Sequence, residues 1–247
     1  MFKLIACNVF MREASLCLAQ SRHVIDAEFT EVGEHTSPER LRERLQAGID
    51  AAEQSPKPYE AILLLYGLCG NAGVGLTARS IPLVIPRAHD CCTVLLGSRL
   101  RFRDLFKDNP SRPFSSVGYV ERGEYFIRVE DGESRIHYGD AYAEYVEKYG
   151  EENARYIWDT MHPQASDMDG ESAVFIDVPE TSHLGYVDRF RERADAEGVA
   201  VEIVAGDLRL IRALLSGEWS EEEFLVVSPG HRTVGVYDWN EVIRAAQ

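Results

Sequence analysis

Four side chains in this sequence could hold a soft metal ion, and each follows an apolar run. Cys7 lies near the end of the run over residues 3–9, and Cys69 comes just after YEAILLLY at 59–66. His89 and Cys91 come just after IPLVI at 81–85. If the three runs are parallel strands, all four residues stand at or beyond their carboxyl ends, the edge on which open α/β sheets bind ligands. Thiolate and imidazole are the donors Zn2+ prefers, in tetrahedral Cys2His or Cys3His sets. The spacing is not the local pair of a zinc ribbon. Donors gathered from separate strand ends belong more often to a functional site, where three protein ligands leave one open position. Cys69, His89 and Cys91 supply three, and Cys7 is either the fourth ligand or a free thiolate facing the metal. Cys91 is preferred to Cys92 because, two residues from His89, it shares one side of an extended segment. A Cys/His set with a single His favours zinc over an Fe–S cluster, which would need one or two Cys more. Two other readings stay open: a metal-free reactive thiol, and Cys as a small buried apolar side chain. Cys17, in an apolar helical stretch, reads as core.

Further candidates surround these four. Asp90 is either a hydrogen-bond partner of a ligand or the cap of the helix after it. Glu13 follows the first strand closely enough to act as an acid/base, or is a solvated residue of a helix start. Arg79 and Arg87 flank the region and could hold a carboxylate, sulfonate or phosphate; paired with surface acids they would do nothing of the kind. Gly70 and Asn71 lie in a glycine-rich turn suited to close backbone approach or to an N–H nest for an anion. The stretch Gly73-Val74-Gly75-Leu76-Thr77-Ala78 fits a dinucleotide fingerprint in letters. It starts too far past the strand, however, and lacks an acidic residue about 20 positions on. No Lys follows Gly75, so it is no P-loop. His231, after the last strand, could face the cleft from a second lobe. No Gly-x-Ser-x-Gly elbow is present, so a serine hydrolase has no support.

These residues need a scaffold that delivers strand ends to one edge. Short apolar runs alternate with helical periodicity, which predicts βαβ units and an α/β fold. Its mostly parallel sheet or sheets would carry helices on both faces, two Rossmann-like lobes being one arrangement. Strands are expected at 3–9, 24–29, 59–66, 81–85, 173–178, 199–204 and 224–227. Helices are expected at 12–20, from Ser37-Pro38-Glu39 onward with Leu41, Leu45 and Ile49 as one buried stripe, at 93–106, 142–161 and 183–196, and after Asp207. A hairpin is expected over 114–130. The irregular stretch divides the chain into an N-terminal α/β lobe, 1–107, carrying the Cys/His site, an irregular or helical insert, 108–171, and a C-terminal α/β lobe, 172–247.

Composition narrows the partners. The 247 residues carry 26 Lys and Arg against 41 Asp and Glu, a net charge of −15. That argues against nucleic acid and against an anionic membrane, both of which attract basic surfaces. It leaves room for a small anionic or thiol substrate held by a few local donors. The start is too short and too interrupted for a membrane helix and shows no signal-peptide pattern. Five Cys is an odd number and sparse for a disulfide framework, so a reduced, cytoplasmic chain is expected.

Ile5-Ala6-Cys7, Tyr66-Gly67-Leu68-Cys69-Gly70-Asn71 and Pro86-Arg87-Ala88-His89-Asp90-Cys91, with Leu95-Leu96-Gly97-Ser98, resemble the family DUF1638, a domain of unknown function in bacteria and archaea. The resemblance continues through Tyr149-Gly150-Glu151-Glu152-Asn153-Ala154 and Gly206-Asp207-Leu208-Arg209, and so covers most of the chain. The family's members often sit near corrinoid proteins and methyltransferases for methylated amines, so the resemblance implies one-carbon metabolism by association. The chain departs from the family at Cys92, where an apolar residue is expected. It departs again around 112–123, where a Tyr/Thr-rich stretch ending in Gly-Trp is usual; that touches the substrate pocket more than the Cys/His set. The expectation is a zinc-dependent methyl- or thiol-transferase whose open position takes a substrate thiol or water. The alternatives are a non-catalytic accessory or corrinoid/metal-handling protein of a methyltransferase system, and a structural metal site with the activity elsewhere.

Overall fold

A computed structural model describes residues 1–31, 37–69, 71–107, 112–122, 151, 172–196, 198–236 and 241–247. Its first sheet has five strands: β1 (Phe2–Cys7), β2 (Ile25–Thr30), β3 (Ala61–Leu65), β4 (Leu83–Pro86) and β8 (Phe224–Val227), in the order β2-β1-β3-β4-β8. The first four are parallel and β8 is antiparallel to β4. A second sheet, order β5-β6-β7, is parallel throughout: β5 (Phe114–Ser116), β6 (Ala173–Asp177) and β7 (Val201–Ala205). A two-stranded antiparallel ribbon, β9 (Arg232–Gly235) with β10 (Ile243–Ala246), lies near the chain's end. The fold is thus α/β with mostly parallel sheets.

The strand signals work because burial on both faces lets a parallel strand be apolar throughout. Every residue of β3 is buried. In β1 the neighbours Leu4 and Ile5 point to opposite faces, and both are inaccessible to solvent. Helix α2 (Pro38–Glu53) lies against β1, with Gly48 over Ile5. Its start follows the expected chemistry: the Ser37 side chain accepts from the Arg40 N–H, and Pro38 opens the helix. Leu41, Leu45 and Ile49 form its buried stripe. Helix α7 (Arg209–Ser216) turns Leu210, Ile211, Leu214 and Leu215 inward and packs on β3, β4 and α1 (Met11–Gln20).

Several elements differ from expectation. The single helix over 93–106 is two, α3 (Cys91–Leu95) and α4 (Arg99–Phe106). Gly97 stands between them at φ +71°, and Ser98 caps the second through the N–H groups of Leu100 and Arg101. In place of the hairpin, β5 runs into a short helix, α5 (Val117–Arg122), and pairs in parallel with β6. The segment 183–196 begins with a 3-10 turn, Ser182–Leu184, before α6 (Tyr186–Ala196). The helix expected at 142–161 lies outside the described residues. Strand pairing also cuts across the expected boundaries: β5 comes from the stretch read as an insert, and β8 from the stretch read as the second lobe.

The two parallel sheets meet at their carboxyl edges. The chain leaves β5 into α5 and presses Gly118 onto the 3-10 turn Asn8–Phe10 that follows β1; a Cβ there would lie 1.7 Å from the Val9 carbonyl oxygen. On the far side the turn after β7 meets the end of α3, where the Asp207 N–H donates to the Leu95 carbonyl at 2.9 Å.

Candidate functional site

The structure brings Cys7, Cys69 and Cys91 together. Cys7 is the last residue of β1. Beyond β3 the chain stays beside the chain leaving β4, with the N–H of Leu68 donating to the Ala88 carbonyl and that of Cys69 to the His89 carbonyl, at 2.9 and 3.1 Å. Gly67 permits this approach, because a Cβ would fall 2.5 Å from the Asp90 Cα. Cys69 then turns into the left-handed region at φ +46°, a conformation that costs a β-carbon-bearing residue energy and recurs at functional sites. Asp90 stops the extended chain by capping α3: its Oδ1 accepts from the Thr93 N–H at 3.0 Å and from the Thr93 hydroxyl at 3.2 Å. Cys91 opens that helix. Its thiol has those of Cys69 and Cys7 in hydrogen-bonding reach, and these contacts, with burial, push its pKa well up. Cys7 and Cys91 are buried, whereas Cys69 keeps partial exposure. Among the described residues, no group of three or more His, Cys, Asp and Glu side chains is disposed as a metal-binding set.

Two phenols border the thiols, and sequence reasoning passed over both. Tyr66, the first residue past β3, shares a hydrogen bond with the Thr30 hydroxyl. Burial, reinforced by charge on Cys7, Cys69 and Cys91, pushes its pKa up. Tyr119 arrives on α5, one residue after the Gly118 contact, and its ring stands edge-on to Phe114. It too is pushed up, by burial and then by the same three cysteines. Tyr66 was readable only as the end of an apolar run, and Tyr119 lay in a stretch read as a hairpin.

His89 makes its ring contact on α4. Residues 89 and 90 lead into α3 with Asp90 extended at φ −157° and ψ −175°, and the His89 ring stacks on Phe102 of α4 with centroids 5.6 Å apart. Asp90 acts as the helix cap. Its carboxyl is pushed up to about 6, by burial above all, although the residue as a whole retains some exposure.

Glu13, in the first turn of α1, is fully buried, and neither carboxyl oxygen has a partner in hydrogen-bond geometry. Burial pushes its pKa up to about 7; Glu121 and Glu180 act in the same sense, its own N–H and Arg12 against it. Its surroundings are therefore α5, the turn after β6 and, four residues on, Cys17. The Cys17 thiol is pushed up to about 11, mainly by burial.

The arginines expected to hold an anion are committed elsewhere. Arg79 pairs with Asp50 at 2.9 Å, and both side chains are largely solvated. Arg87 donates to the carbonyls of Glu221, Glu241 and Ile243, fastening the C-terminal ribbon. Beside it, Arg99, Glu221, Glu222 and Glu241 line an open depression whose glutamates would repel an anion. His231 stands on the wrong edge: because β8 is antiparallel, the turn after it reaches the amino ends of the other strands, where the Ala78 N–H donates to the His231 carbonyl. Asn71 has φ +71°, and its carbonyl accepts from Arg42 at 3.1 Å. Gly70 lies outside the described residues.

Comparison with known proteins gives a family and no function. A family model described as a protein of unknown function, DUF1638, matches residues 29–215. No curated protein and no solved structure matches the chain. Among the described residues no helix is long and apolar enough to cross a membrane.

Proposed function

With the chain established as a member of the DUF1638 family, we propose that it is a thiolate metalloprotein in which Cys7, Cys69 and Cys91 hold one zinc ion and leave a position for an exogenous thiol or water. The observation that carries this reading is the convergence of three thiols from three adjacent parallel strands on the ligand-binding edge. Three soft donors fit Zn2+, which three protein ligands hold in catalytic sites. His89, stacked on Phe102, is left out of the set. As protonated thiols the cysteines hydrogen-bond to one another; binding a metal would release their protons and turn the sulfurs toward it. The partial exposure of Cys69 gives an incoming ligand an approach. Zinc bound in this way would supply a lowered pKa to a thiol or water at neutral pH. The chain's own part is to keep three sulfurs together in a buried place and to border them with the phenols of Tyr66 and Tyr119. The reaction class that follows is methyl or thiol transfer, in keeping with one-carbon metabolism.

Elemental mass spectrometry of untagged protein tests the reading. About one zinc per chain is expected, lost in Cys69→Ser and Cys91→Ser and retained in Cys17→Ser. Iron with acid-labile sulfide would replace zinc by a cluster. Metal-free wild-type protein that also takes up no added Zn2+ or Co2+ would overturn the reading.

A further inference from the structure

Three of the five cysteines touch, and two touching thiols are a store of two electrons as well as a pair of donors. The contacts run through Cys91, whose thiol is in hydrogen-bonding reach of Cys69 and of Cys7. The backbone explains the meeting. The N–H of Cys69 donates to the His89 carbonyl at 3.1 Å, and the Asp90 cap opens α3 on Cys91 two residues further on. Gly67, against the Asp90 main chain, lets the two chains run this close. A disulfide brings its sulfurs to about 2 Å and its Cβ atoms to roughly 3.8 Å, so thiols already in contact are the ones that close without backbone movement. The other two cysteines have other neighbours: Arg212, Glu180 and Glu13 act on Cys17, and Asp90 acts on Cys92.

Access orders the three. Cys7 and Cys91 are 0% and 2% exposed, whereas Cys69 keeps partial exposure. A reagent from solution therefore meets Cys69 first, and Cys91 is the thiol beside it. An exposed entry thiol with a second thiol behind it is the arrangement that thiol–disulfide exchange uses, through a mixed-disulfide intermediate. Burial and the two neighbouring thiols hold the Cys91 proton tightly. Proximity to Cys69, not acidity, is what fits Cys91 to resolve such an intermediate.

We propose that Cys69 and Cys91 form a dithiol centre that exchanges two electrons with a small organic disulfide. The Cys69 thiolate attacks one sulfur of the disulfide RSSR; that S–S bond breaks, and RS− leaves and takes up the proton that Cys69 gave to water. The Cys91 sulfur then attacks Cys69 Sγ; the mixed S–S bond breaks, a Cys69–Cys91 bond forms, and the second RS− leaves with the Cys91 proton. In sum the chain gives up two electrons and two protons, and RSSR is reduced to two RSH. A reducing dithiol runs the sequence backwards. Cys7 keeps its thiol throughout. The inference shares the meeting of thiols with the zinc reading but does not need zinc; where zinc is bound, the step removes two of its three donors and releases it.

Folded protein, as purified and after dialysis against a chelator, is treated with 2-hydroxyethyl disulfide at pH 8. It is then quenched with acid, alkylated with N-ethylmaleimide and mapped by peptide mass spectrometry. Two of the five thiols should be lost, with no adduct retained, a link joining Cys69 to Cys91, and both thiols restored by dithiothreitol. Cys91→Ser should stop at a mixed disulfide on Cys69, and Cys69→Ser should react at least tenfold more slowly. Cys17→Ser and Cys92→Ser should behave as wild type, the second separating Cys91 from the cysteine next to it. If a buried substitution unfolds the chain, as read by circular dichroism, the wild-type map alone decides. Chelator-treated wild-type protein that keeps all its thiols, halts at the mixed disulfide or links any other pair of cysteines would overturn the inference. Zinc-free protein that closes the link leaves the inference standing while the zinc reading falls; zinc-containing protein whose stripped form resists the disulfide does the reverse.

Discussion

The Glu13 carboxyl should make the protein's stability fall as pH rises through the neutral range. Its pKa is about 7 in the folded chain against an ordinary value of 4.5, with desolvation as the main cause. A raised carboxyl pKa means that the unfolded state gives up its proton first. The cost to the fold begins near pH 4.5, grows until about pH 7 and is constant above that. Two and a half pKa units correspond to about 3 kcal/mol, accumulated at roughly 1.4 kcal/mol per pH unit. Glu121 and Glu180, which face Glu13 from α5 and from the turn after β6, add to this; Arg12 opposes it. Glu13→Gln removes the titration and keeps the volume. The side-chain amide it introduces adds an offset that does not vary with pH. The assay is urea unfolding of both proteins at half-unit steps from pH 4.5 to 8.5, read as the difference in unfolding free energy. The variant should gain about 3 kcal/mol relative to wild type between the two ends of the range, with most of the change below pH 7. A difference that stays constant across the range would refute the reasoning, because the carboxyl would then be solvated or paired in the folded chain.

Two further substitutions separate site from scaffold. Gly67→Ala places a Cβ 2.5 Å from the Asp90 Cα, so the chain after β3 must move away from the chain after β4. Stability should fall by about 2 kcal/mol or more, and metal uptake should fail at temperatures where the variant is still folded, as read by elemental analysis against circular dichroism. Arg87→Gln loses donors to Glu221, Glu241 and Ile243; hydrogen exchange should speed up in β9 and β10 while metal content stays at the wild-type level, and a loss of metal would instead return Arg87 to the site.

What the sequence could disclose was set by how local each cause is. Continuous burial made β3 legible as AILLL, and the pairing of Ser37 with Pro38 made the start of α2 legible. The convergence of Cys7, Cys69 and Cys91 needed only parallel strands and the rule that ligands gather at their carboxyl ends. His89 was placed with them on the premise that 89–91 is extended. Asp90 between them is indeed extended, but the His89 ring stacks on Phe102 of α4, a long-range contact that no local pattern carries. His231 was displaced by one sign: an antiparallel β8 reverses the edge at which its following turn emerges, and FLVV reads alike in either direction. Tyr119 left no local signal, since its place depends on how α5 docks on the turn after β1.

That docking also holds the candidate site against the second sheet. Gly118 lies against the Val9 carbonyl so closely that any side chain at this position would part the sheets. Val9 lies two residues beyond Cys7 and one beyond Asn8, while Tyr119, next to Gly118, borders the thiols. One backbone contact therefore fixes the thiol cluster of the first sheet against the helix that follows β5 of the second. A group activated at the thiols would be placed relative to the Tyr119 phenol by main chain and not by flexible side chains. Holding reactants by rigid elements is what makes proximity effective in catalysis, where an error of about 1 Å can cost on the order of a hundredfold. It follows that parting the sheets at Gly118 should impair metal uptake at the thiols, read by elemental analysis, whereas Arg87→Gln should spare it.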